Sequence, residues 1–518
     1  MSPDLIPDGI VILDFGGQYC HLIARRIREM KVYSEILPSE VSVDEVRELG
    51  KTMRVRGVIL SGSPSSVNAK NSLRLDERIL ELGVPVLGLC YGHQLLAQMN
   101  KGDVRKGEFK EYGGRTAYID RAENILEGME MEEPVWMSHG DTVYSLPKCF
   151  QILAHTDSAP VAAFSDPEKG IYGLQWHPEV KHTIHGDRVL NNFVFGICKC
   201  QQNWYPADAV EEGIKAVKAQ VGGGKAVIAL SGGVDSSVAA AIVGKALGDR
   251  IMAVHVDHGL MRMEESSQVK EAMERIGVNV KVVDAKDRFM MRLRGVTDPE
   301  EKRKIIGEEF IRVFEKEARL FGAEYLVQGT IYPDRIESGT TRHADTIKTH
   351  HNVGGLPLHM DFKGVVEPLR DLYKDEVRAL GTKMGLPREL VWRQPFPGPG
   401  LAVRMVGEVT EEKLDALRKA DVIVTEEVEK SELASTSWQY FAILTDTKST
   451  GVKGDERAYG WTVAVRIVES VDAMTANFSK APWEILERIS NRITNSLPQV
   501  TRVVYDITNK PPSTIEWE

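Results

Sequence analysis

Residues 226–243 read AVIALSGGVDSSVAAAIV, and this stretch decides the fold of the middle of the chain. Its apolar start predicts a buried strand, Gly232 and Gly233 predict a tight turn, and the small apolar residues that follow predict a helix. Such a unit is typical of a parallel α/β sheet, and its turn offers backbone N–H groups at a helix N-terminus, where anions bind. Polar side chains crowd the same turn, which favours a phosphate loop over plain turn chemistry.

A second unit of this kind lies nearer the start, where residues 84–98 read VPVLGLCYGHQLLAQ. Gly88 and Gly92 flank Cys90 with the spacing of the G-x-S-x-G nucleophile elbow, with cysteine in place of serine. The positive end of the following helix would favour a thiolate. A buried structural cysteine is the alternative, but the two glycines favour a nucleophile. One polypeptide thus carries a thiol nucleophile and a phosphate loop, which indicates two linked reactions.

The composition is that of an ordinary globular protein, with 518 residues, 42% hydrophobic and 27% charged. The net charge of −10 argues against a nucleic-acid partner, and the lack of a long uninterrupted apolar run argues against a membrane span. Five cysteines do not form a disulfide framework, and the first residues do not resemble a secretion signal. We therefore predict a cytoplasmic protein with no nucleic-acid and no membrane partner.

Two breaks divide the chain. Residues 200–224 combine a polar stretch, a helical pattern and three glycines, and QPFPGPG at 394–400 holds three prolines and two glycines. We predict domains at 9–203, 204–393 and 394–518. Short strands alternate with helical stretches in the first two, whereas the third mixes strands and helices. The predicted fold class is α/β, with two doubly wound parallel-sheet domains followed by a small α+β C-terminal domain.

A thiolate nucleophile needs a base and a group that orients the base. GLQWHPEV at 173–180 offers both, because His177 and Glu179 follow an apolar strand on either side of a proline. His177 would take and return the proton, and Glu179 would hold its tautomer. A chance pair on a surface loop is the alternative. The turn SGSPSSV at 61–67 also follows a strand, and its N–H groups could form an oxyanion hole.

These pieces resemble class I glutamine amidotransferase domains, through the SGSP turn, GLCYGHQ at 88–94, SHGD at 138–141 and WHPE at 176–179. The resemblance implies that glutamine is hydrolysed to glutamate and ammonia by a triad of Cys90, His177 and Glu179. It also implies that Gly62 helps to hold the oxyanion, and that glutamine is held by Gln94, Ser138 and His139.

The run SGGVDSS resembles the loop of N-type ATP pyrophosphatases, which activate a substrate oxygen as its adenylate. The resemblance implies that ATP phosphates bind to Ser231, Gly232, Gly233, Val234, Asp235, Ser236 and Ser237. Magnesium (Mg2+) is implied with ATP, because phosphate charge must be neutralised before a nucleophilic oxygen approaches. Asp235 is the candidate metal residue. Gly224-Lys225 is not part of a Walker A motif, since it precedes the strand and Ala226 follows it.

Further stretches resemble one family of that class, the glutamine-hydrolysing GMP synthetases. They run in family order over nearly the whole chain: VDHGLMR at 256–262, QGTIYPDRIES at 328–338, IKTHHNVGGLP at 347–357, EPLRDLYKDEVRALG at 367–381, RQPFPGPGLAVR at 393–404 and YDITNKPPSTIEWE at 505–518. The resemblance implies a lid with Lys348, XMP contacts from Lys510 and Glu516, and a homodimer formed by the third domain. A solvated lysine and a frayed charged terminus are the alternatives.

The sequence departs from the family patterns at two positions. Ser63 stands where the amidotransferase turn usually has a second glycine, and serine disfavours positive φ, which puts the oxyanion turn in question. His258 stands where the synthetase stretch usually has asparagine.

The predicted reaction converts XMP, ATP and glutamine into GMP, AMP, pyrophosphate and glutamate. Ammonia released at Cys90 would displace AMP from adenylated XMP. Because ammonium at neutral pH is mostly protonated and not nucleophilic, we expect ammonia to be passed internally. Two alternatives stay open: another amide or amidine synthetase with the same two modules, and a regulatory protein that senses glutamine or nucleotide with inactive sites.

Overall fold

The computed structural model describes residues 6–339, 362–470 and 475–518. The chain divides into two compact units. Among the described residues, the first comprises those up to Tyr205 together with 336–339, and the second comprises the rest from Pro206 onward. Within the described ranges, no helix combines the length and apolar character that crossing a bilayer requires.

The first unit is built on a nine-stranded sheet with the order β2-β1-β3-β4-β9-β8-β7-β5-β6. Its strands are β1 (Asp8–Asp14), β2 (Tyr33–Pro38), β3 (Arg54–Leu60), β4 (Val86–Leu89), β5 (Asp103–Ile119), β6 (Glu132–Ser145), β7 (Gln151–His155), β8 (Ala163–Asp166) and β9 (Ile171–Leu174). The first five strands in this order are parallel, as predicted, and the other four extend the sheet by antiparallel pairing. The sequence does not predict this extension, because β6 alternates buried and exposed residues and lacks a continuous apolar run.

Among residues 6–205, the α-helices of this unit are α1 (Cys20–Glu29), α2 (Val43–Glu48), α3 (Tyr91–Met99) and α4 (Gly186–Asn191). Ser42 and Glu45 form a capping box at the start of α2, in which each side chain binds the backbone N–H of the other residue. Helix α3 begins directly after Cys90, at the carboxyl end of β4. The predicted elbow therefore lies at the sheet edge where parallel strands present functional groups.

The second unit contains a five-stranded sheet with the order β12-β11-β10-β13-β14, in which every pair is parallel. The strands are β10 (Ala226–Ala229), β11 (Ile251–Asp257), β12 (Val280–Asp284), β13 (Tyr325–Val327) and β14 (Gly364–Val366). The helices are α5 (Pro206–Val221), α6 (Val234–Leu247), α7 (Glu265–Arg275), α8 (Lys286–Leu293), α9 (Pro299–Phe321), α10 (Tyr332–Gly339), α11 (Lys374–Lys383) and α12 (Arg388–Val391). The strand order reverses between β10 and β13, and ligands of such sheets bind at this switch point.

A third sheet follows in the same unit. It comprises β15 (Gln439–Lys453), β16 (Glu456–Glu469), β17 (Asn477–Phe478) and β18 (Val500–Tyr505), of which β18 is parallel to β16 and the other pairs are antiparallel. Its helices are α13 (Glu411–Glu429), α14 (Leu433–Thr436) and α15 (Trp483–Ser496). These three sheets confirm the predicted α/β class with an α+β C-terminal part.

One apolar cluster joins the second and third sheets. It includes Val254 of β11, Phe314 of α9, Leu417 of α13 and Val463 of β16, all of them buried. The segments predicted as domains 204–393 and 394–518 therefore share a core, and they lie in one compact unit. The boundary between them stays a prediction.

Candidate active sites

The backbone at Cys90 has the strained geometry of a nucleophile elbow. Its φ of 52° and ψ of −100° are rare for a non-glycine residue, and such strain is typical of functional positions. The flanking glycines are required by close packing. A Cβ at Gly88 would lie 2.4 Å from the carbonyl carbon of Gly92, and a Cβ at Gly92 would lie 2.5 Å from the Leu60 carbonyl oxygen.

The structure brings the three predicted triad residues together. His177 Nδ1 lies 2.7 Å from Glu179 Oε1, both side chains are buried, and the imidazole also hydrogen-bonds to the Cys90 sulfur. Burial opposes a charge on the imidazole, but the Glu179 carboxylate and the Cys90 sulfur outweigh it and raise the pKa of His177 well above its usual value. An imidazole held between a carboxylate and a thiol can take the thiol proton when the sulfur attacks an amide carbon.

The predicted oxyanion turn lies against the same pair. A Cβ at Gly62 would stand 3.3 Å from His177 Cε1 and 3.8 Å from Cys90 Cβ, so the turn is in contact with both residues. The Ser61 hydroxyl fixes the turn by accepting from Phe15 N–H at 3.0 Å and donating to the Gly62 carbonyl at 3.1 Å. Ser63 is not among the described residues with positive φ. Its departure from the family glycine therefore requires no left-handed backbone here.

The residues predicted to hold the substrate glutamine lie together beside the Cys90 thiol. The Cys90 thiol donates to the Ser138 carbonyl oxygen at 3.4 Å. Gln94 Nε2 donates to the Asp141 carbonyl at 2.8 Å and to Gln175 Oε1 at 3.1 Å. The segment from Ser138 to Asp141, in the middle of β6, is thus hydrogen-bonded to the helix that follows the nucleophile.

Sequence reasoning missed the groups that support this site. Thr183 Oγ1 donates to the His177 carbonyl at 2.7 Å, and the Tyr19 ring packs edge-on against the imidazole with centroids 4.9 Å apart. Glu111 Oε2 lies 2.8 Å from His139 Nε2. Thr183 lies six residues from His177, but no motif marks Tyr19 or Glu111, because only the fold brings them to the histidines.

The predicted phosphate loop links β10 to α6, at the switch point of the parallel sheet. Its hydroxyls hold its shape: Ser231 Oγ accepts from Gly233 N–H at 3.3 Å, and Ser237 Oγ donates to the Gly233 carbonyl at 2.8 Å. Ser236 Oγ lies 3.1 Å from Ser231 Oγ. Gly232 has a φ of +78°, which only glycine adopts at low cost.

Two neighbours of the loop come from distant segments. A Cβ at Gly329, after β13, would lie 3.1 Å from Ser236 N, so the segment after β13 packs closely against the start of α6. Lys374 Nζ, at the start of α11, lies 3.2 Å from Asp235 Oδ2. Sequence reasoning did not single out Lys374, although it lies in one of the stretches that resemble the synthetase family. The position places a cation beside the predicted phosphate loop.

Lys225 has no part in this site. Its Nζ donates to the Phe321 carbonyl at 3.2 Å and lies over the Phe321 ring, at the other end of β10. The prediction that Gly224-Lys225 is not a phosphate motif agrees with this position.

His258, which stands where the family pattern has asparagine, makes a hydrogen bond that an asparagine could also make. Its Nδ1 accepts from Leu260 N–H at 3.1 Å, two residues on, as an asparagine oxygen does in an Asx turn. Burial lowers the pKa of His258 to about 4, so the ring is neutral and Nδ1 is free to accept. The departure therefore conserves the local turn.

The tail from Lys510 to Glu518 is folded onto the third sheet rather than frayed. Lys510 and Ala476 exchange two backbone hydrogen bonds, at 2.7 and 3.0 Å. Glu516 receives two hydrogen bonds from the fully buried Arg404, at 2.8 and 3.1 Å. The predicted XMP contacts of Lys510 and Glu516 stay predictions. Lys348 lies outside the described residues.

Cys198 and Cys200 do not have the lowered pKa of a reactive cysteine pair. Burial raises the pKa of both Cys198 and Cys200, that of Cys200 to about 12, as expected for inert thiols. All five cysteines are free. No cluster of three or more potential metal ligands occurs within the described ranges.

Comparison with known proteins assigns each part of the chain. The family "Glutamine amidotransferase class-I" matches residues 11–197, "NAD synthase" matches 207–437 and "GMP synthase C terminal domain" matches 426–517. The fold and the sites therefore define a glutamine amidotransferase joined to a synthetase, which is an enzyme of two modules.

Relatives of full length identify the particular family. GMP synthase (glutamine-hydrolyzing) of Geobacillus kaustophilus is 53% identical over 98% of this chain and 99% of its own. The protein of the same name from Clostridium botulinum is 51% identical over the same shares, and that of Bacillus cytotoxicus is 50% identical over 99% of both chains. The chain belongs to the glutamine-hydrolysing GMP synthase family.

Proposed function

We propose that this chain makes GMP, AMP, pyrophosphate and glutamate from XMP, ATP, glutamine and water. The observation that carries the proposal is the presence in one chain of the Cys90–His177–Glu179 site and a serine- and glycine-rich loop at the switch point of a parallel sheet. The names of relatives that match over nearly the full length support the same reaction.

In the glutamine reaction, Cys90 Sγ attacks the side-chain amide carbon, and His177 holds the thiol proton. The N–H groups of the turn at Gly62 stabilise the oxyanion. His177 then gives its proton to the departing ammonia, a thioester remains on Cys90, and water activated by His177 releases glutamate. Glu179 keeps the imidazole in the orientation that both transfers need.

In the synthetase reaction, the xanthine O2 of XMP attacks the α-phosphorus of ATP, and pyrophosphate leaves. Ammonia then attacks C2, and AMP departs with the former xanthine oxygen. The backbone N–H groups of the 231–237 loop cradle the β- and γ-phosphates, and Lys374 adds positive charge where the leaving pyrophosphate gathers negative charge.

We assign magnesium to Asp235. Its Oδ1 is buried and has no hydrogen-bond partner among the described residues, whereas Oδ2 faces Lys374. One carboxylate oxygen beside a phosphate loop suits Mg2+, which takes most of its ligands from phosphates and water. When bound, the ion neutralises phosphate charge.

We also propose a cytoplasmic homodimer with Lys510 and Glu516 at the XMP site and Lys348 in a lid. Apolar side chains exposed near α15 and β18 support the dimer, above all Trp483, which is 82% exposed, and Ile507 at 64%. Five free thiols suit a reducing compartment. Sedimentation of the purified chain measures the oligomeric state, and a monomer at micromolar concentration would contradict the dimer.

A nucleotide panel tests the proposed reaction. AMP formation is followed with ATP, Mg2+ and glutamine while XMP is replaced by IMP, UTP or deamido-NAD. We expect AMP only with XMP. Deamido-NAD is included because the middle of the chain matches the NAD synthase family. AMP formation with that dinucleotide and not with XMP would overturn the proposal, and no AMP with any nucleotide would favour a regulatory protein.

A further inference from the structure

His139 is predicted to help hold glutamine, and both nitrogens of its imidazole are hydrogen-bonded within the protein. Its Nδ1 lies 2.8 Å from the Asp141 carbonyl oxygen, and its Nε2 lies 2.8 Å from Glu111 Oε2. Both side chains of the His139–Glu111 pair are only 2% exposed. The imidazole therefore has no nitrogen left for a substrate.

The hydrogen bonds require a proton between His139 and Glu111. A carbonyl oxygen can only accept, so Nδ1–H donates to Asp141. Nε2 then faces a carboxylate oxygen, and a bond at this distance forms only if the imidazole is protonated or the carboxyl group is. Thr156 Oγ1 supplies a further hydrogen bond to Glu111 at 3.1 Å. Hydrogen bonds at both ring nitrogens thus fix the orientation of the His139 side chain.

The hydrogen bonds of His139 fix the segment from Ser138 to Asp141, which lies beside Cys90. Strands β5 and β6 pair Glu111 with His139, directly after an irregularity in their register. The neighbouring Ser138 carbonyl accepts a hydrogen bond from the Cys90 thiol. The Asp141 carbonyl accepts one hydrogen bond from Gln94 and another from His139. Loss of the hydrogen bond between Glu111 and His139 would let this segment move, and the distance between the Ser138 carbonyl and the Cys90 sulfur would change.

We propose that Glu111 is a positioning residue of the glutamine reaction: through His139 it holds residues Ser138–Asp141 in register with Cys90. The inference rests on the proposed glutaminase function. It predicts that Glu111 matters for glutamine use and not for synthesis from ammonium, although Glu111 itself contacts no substrate.

The test compares Glu111→Ala, Glu111→Gln and a matched control, Glu133→Ala. Glu133 is another buried carboxylate of the same sheet and also faces a histidine, with Oε2 2.7 Å from His185 Nδ1. Glutamate release (kcat and KM), ammonium-driven AMP formation and thermal unfolding are measured for each full-length variant.

We expect Glu111→Ala to lower kcat/KM for glutamine at least tenfold and to leave the ammonium-driven rate within twofold. Glu111→Gln should recover most of the loss, because its amide N–H can donate to Nε2 of a neutral His139. Glu133→Ala should lower the unfolding temperature but keep the glutamine parameters within twofold. Equal effects of Glu111→Ala and Glu133→Ala on glutamine use, or no recovery in Glu111→Gln, would overturn the proposal.

Two further variants keep the test decisive. If Glu111→Ala does not fold, Thr156→Val removes the hydroxyl that donates to Glu111, and it should lower kcat/KM for glutamine about threefold; no change would overturn the proposal. Cys90→Ala tests the proposed function separately, since glutaminase activity that persists without the thiol would refute that function whatever Glu111 does.

Discussion

Arg404 and Glu516 form a bidentate ion pair, with Nε 2.8 Å from Oε2 and Nη2 3.1 Å from Oε1. Arg404 is fully buried, and its guanidinium lies 3.9 Å from the centroid of the Phe441 ring. A second buried cation, Arg466, donates to Ser513 Oγ and to the Thr514 carbonyl, each at 3.1 Å. Truncation of the tail would leave both guanidinium groups without these partners. Single substitutions therefore separate substrate binding from stability better than a deletion.

Glu516→Gln should raise the KM for XMP and lower the free energy of unfolding. Removing the anion that compensates a buried guanidinium costs roughly 3 kcal/mol, although Asp421 remains 3.8 Å from Arg404. XMP-dependent AMP formation and urea unfolding provide the two measurements. Glu484→Gln, an exposed carboxylate of α15, is the control. An unchanged KM in a destabilised Glu516→Gln protein would make Glu516 purely structural.

Cys90→Ala should abolish glutamine-dependent synthesis and spare synthesis from ammonium at raised pH. In the proposed reaction the thiol serves only the release of ammonia, whereas XMP is adenylated in the other unit. AMP formation is measured with each nitrogen source, and Cys149→Ala removes an exposed thiol as the control. Loss of the ammonium-driven reaction in a folded Cys90→Ala protein would contradict the division into two sites.

Glu179→Gln should lower glutaminase activity roughly 10²-fold, because the general base loses its orienting carboxylate. The substitution also changes the pH dependence of stability. The raised pKa of His177 stabilises the fold fully below the ordinary imidazole value of 6.5, and this stabilisation is lost as pH rises through the raised value. The unfolding temperatures of wild type and variant should therefore differ most at acidic pH and converge at alkaline pH. A constant difference would argue against an imidazolium at 177.

Asp235→Asn should impair the glutamine- and ammonium-driven reactions alike, by roughly 10²-fold, since both need adenylated XMP. Pyrophosphate release at several Mg2+ concentrations is the measurement. Asp249→Asn, an exposed aspartate just after α6, is the control. Normal pyrophosphate release by Asp235→Asn would restrict Asp235 to a structural role at the start of α6.

His258→Asn should keep activity and make the protein more tolerant of acid. The asparagine oxygen can accept the Leu260 N–H that His258 Nδ1 now accepts. Because burial lowers the pKa of His258 to about 4, the neutral ring stabilises the fold fully above pH 6.5, and this contribution falls as pH drops from 6.5 toward 4. Unfolding temperatures from pH 4 to 8 provide the measurement. His258→Leu leaves the N–H without an acceptor and should cost about 2 kcal/mol at neutral pH.

The chemistry of both sites could be predicted where a single short segment builds it. The elbow at Cys90 and the loop at 231–237 each consist of a strand, a turn and a helix that are contiguous, so local propensity and glycine placement are sufficient to predict them. The pair of His177 and Glu179 is likewise local. The antiparallel half of the first sheet could not be predicted, since its strands pair through long-range contacts and show no continuous apolar run.

By itself, therefore, the sequence determined two α/β modules, a cysteine on a strained turn and a glycine- and serine-rich loop at a helix start, because those features arise among neighbours in the chain. Only the tertiary structure decided which distant groups complete them. Glu111 meets His139 across 28 residues, Arg404 meets Glu516 across 112, and Asp235 meets Lys374 across 139. The sequence does not indicate which distant residue will pair with a given charge or hydrogen-bond donor. A polar group that is removed from water needs a hydrogen-bond partner, and the fold determines which group lies within about 3 Å to provide it.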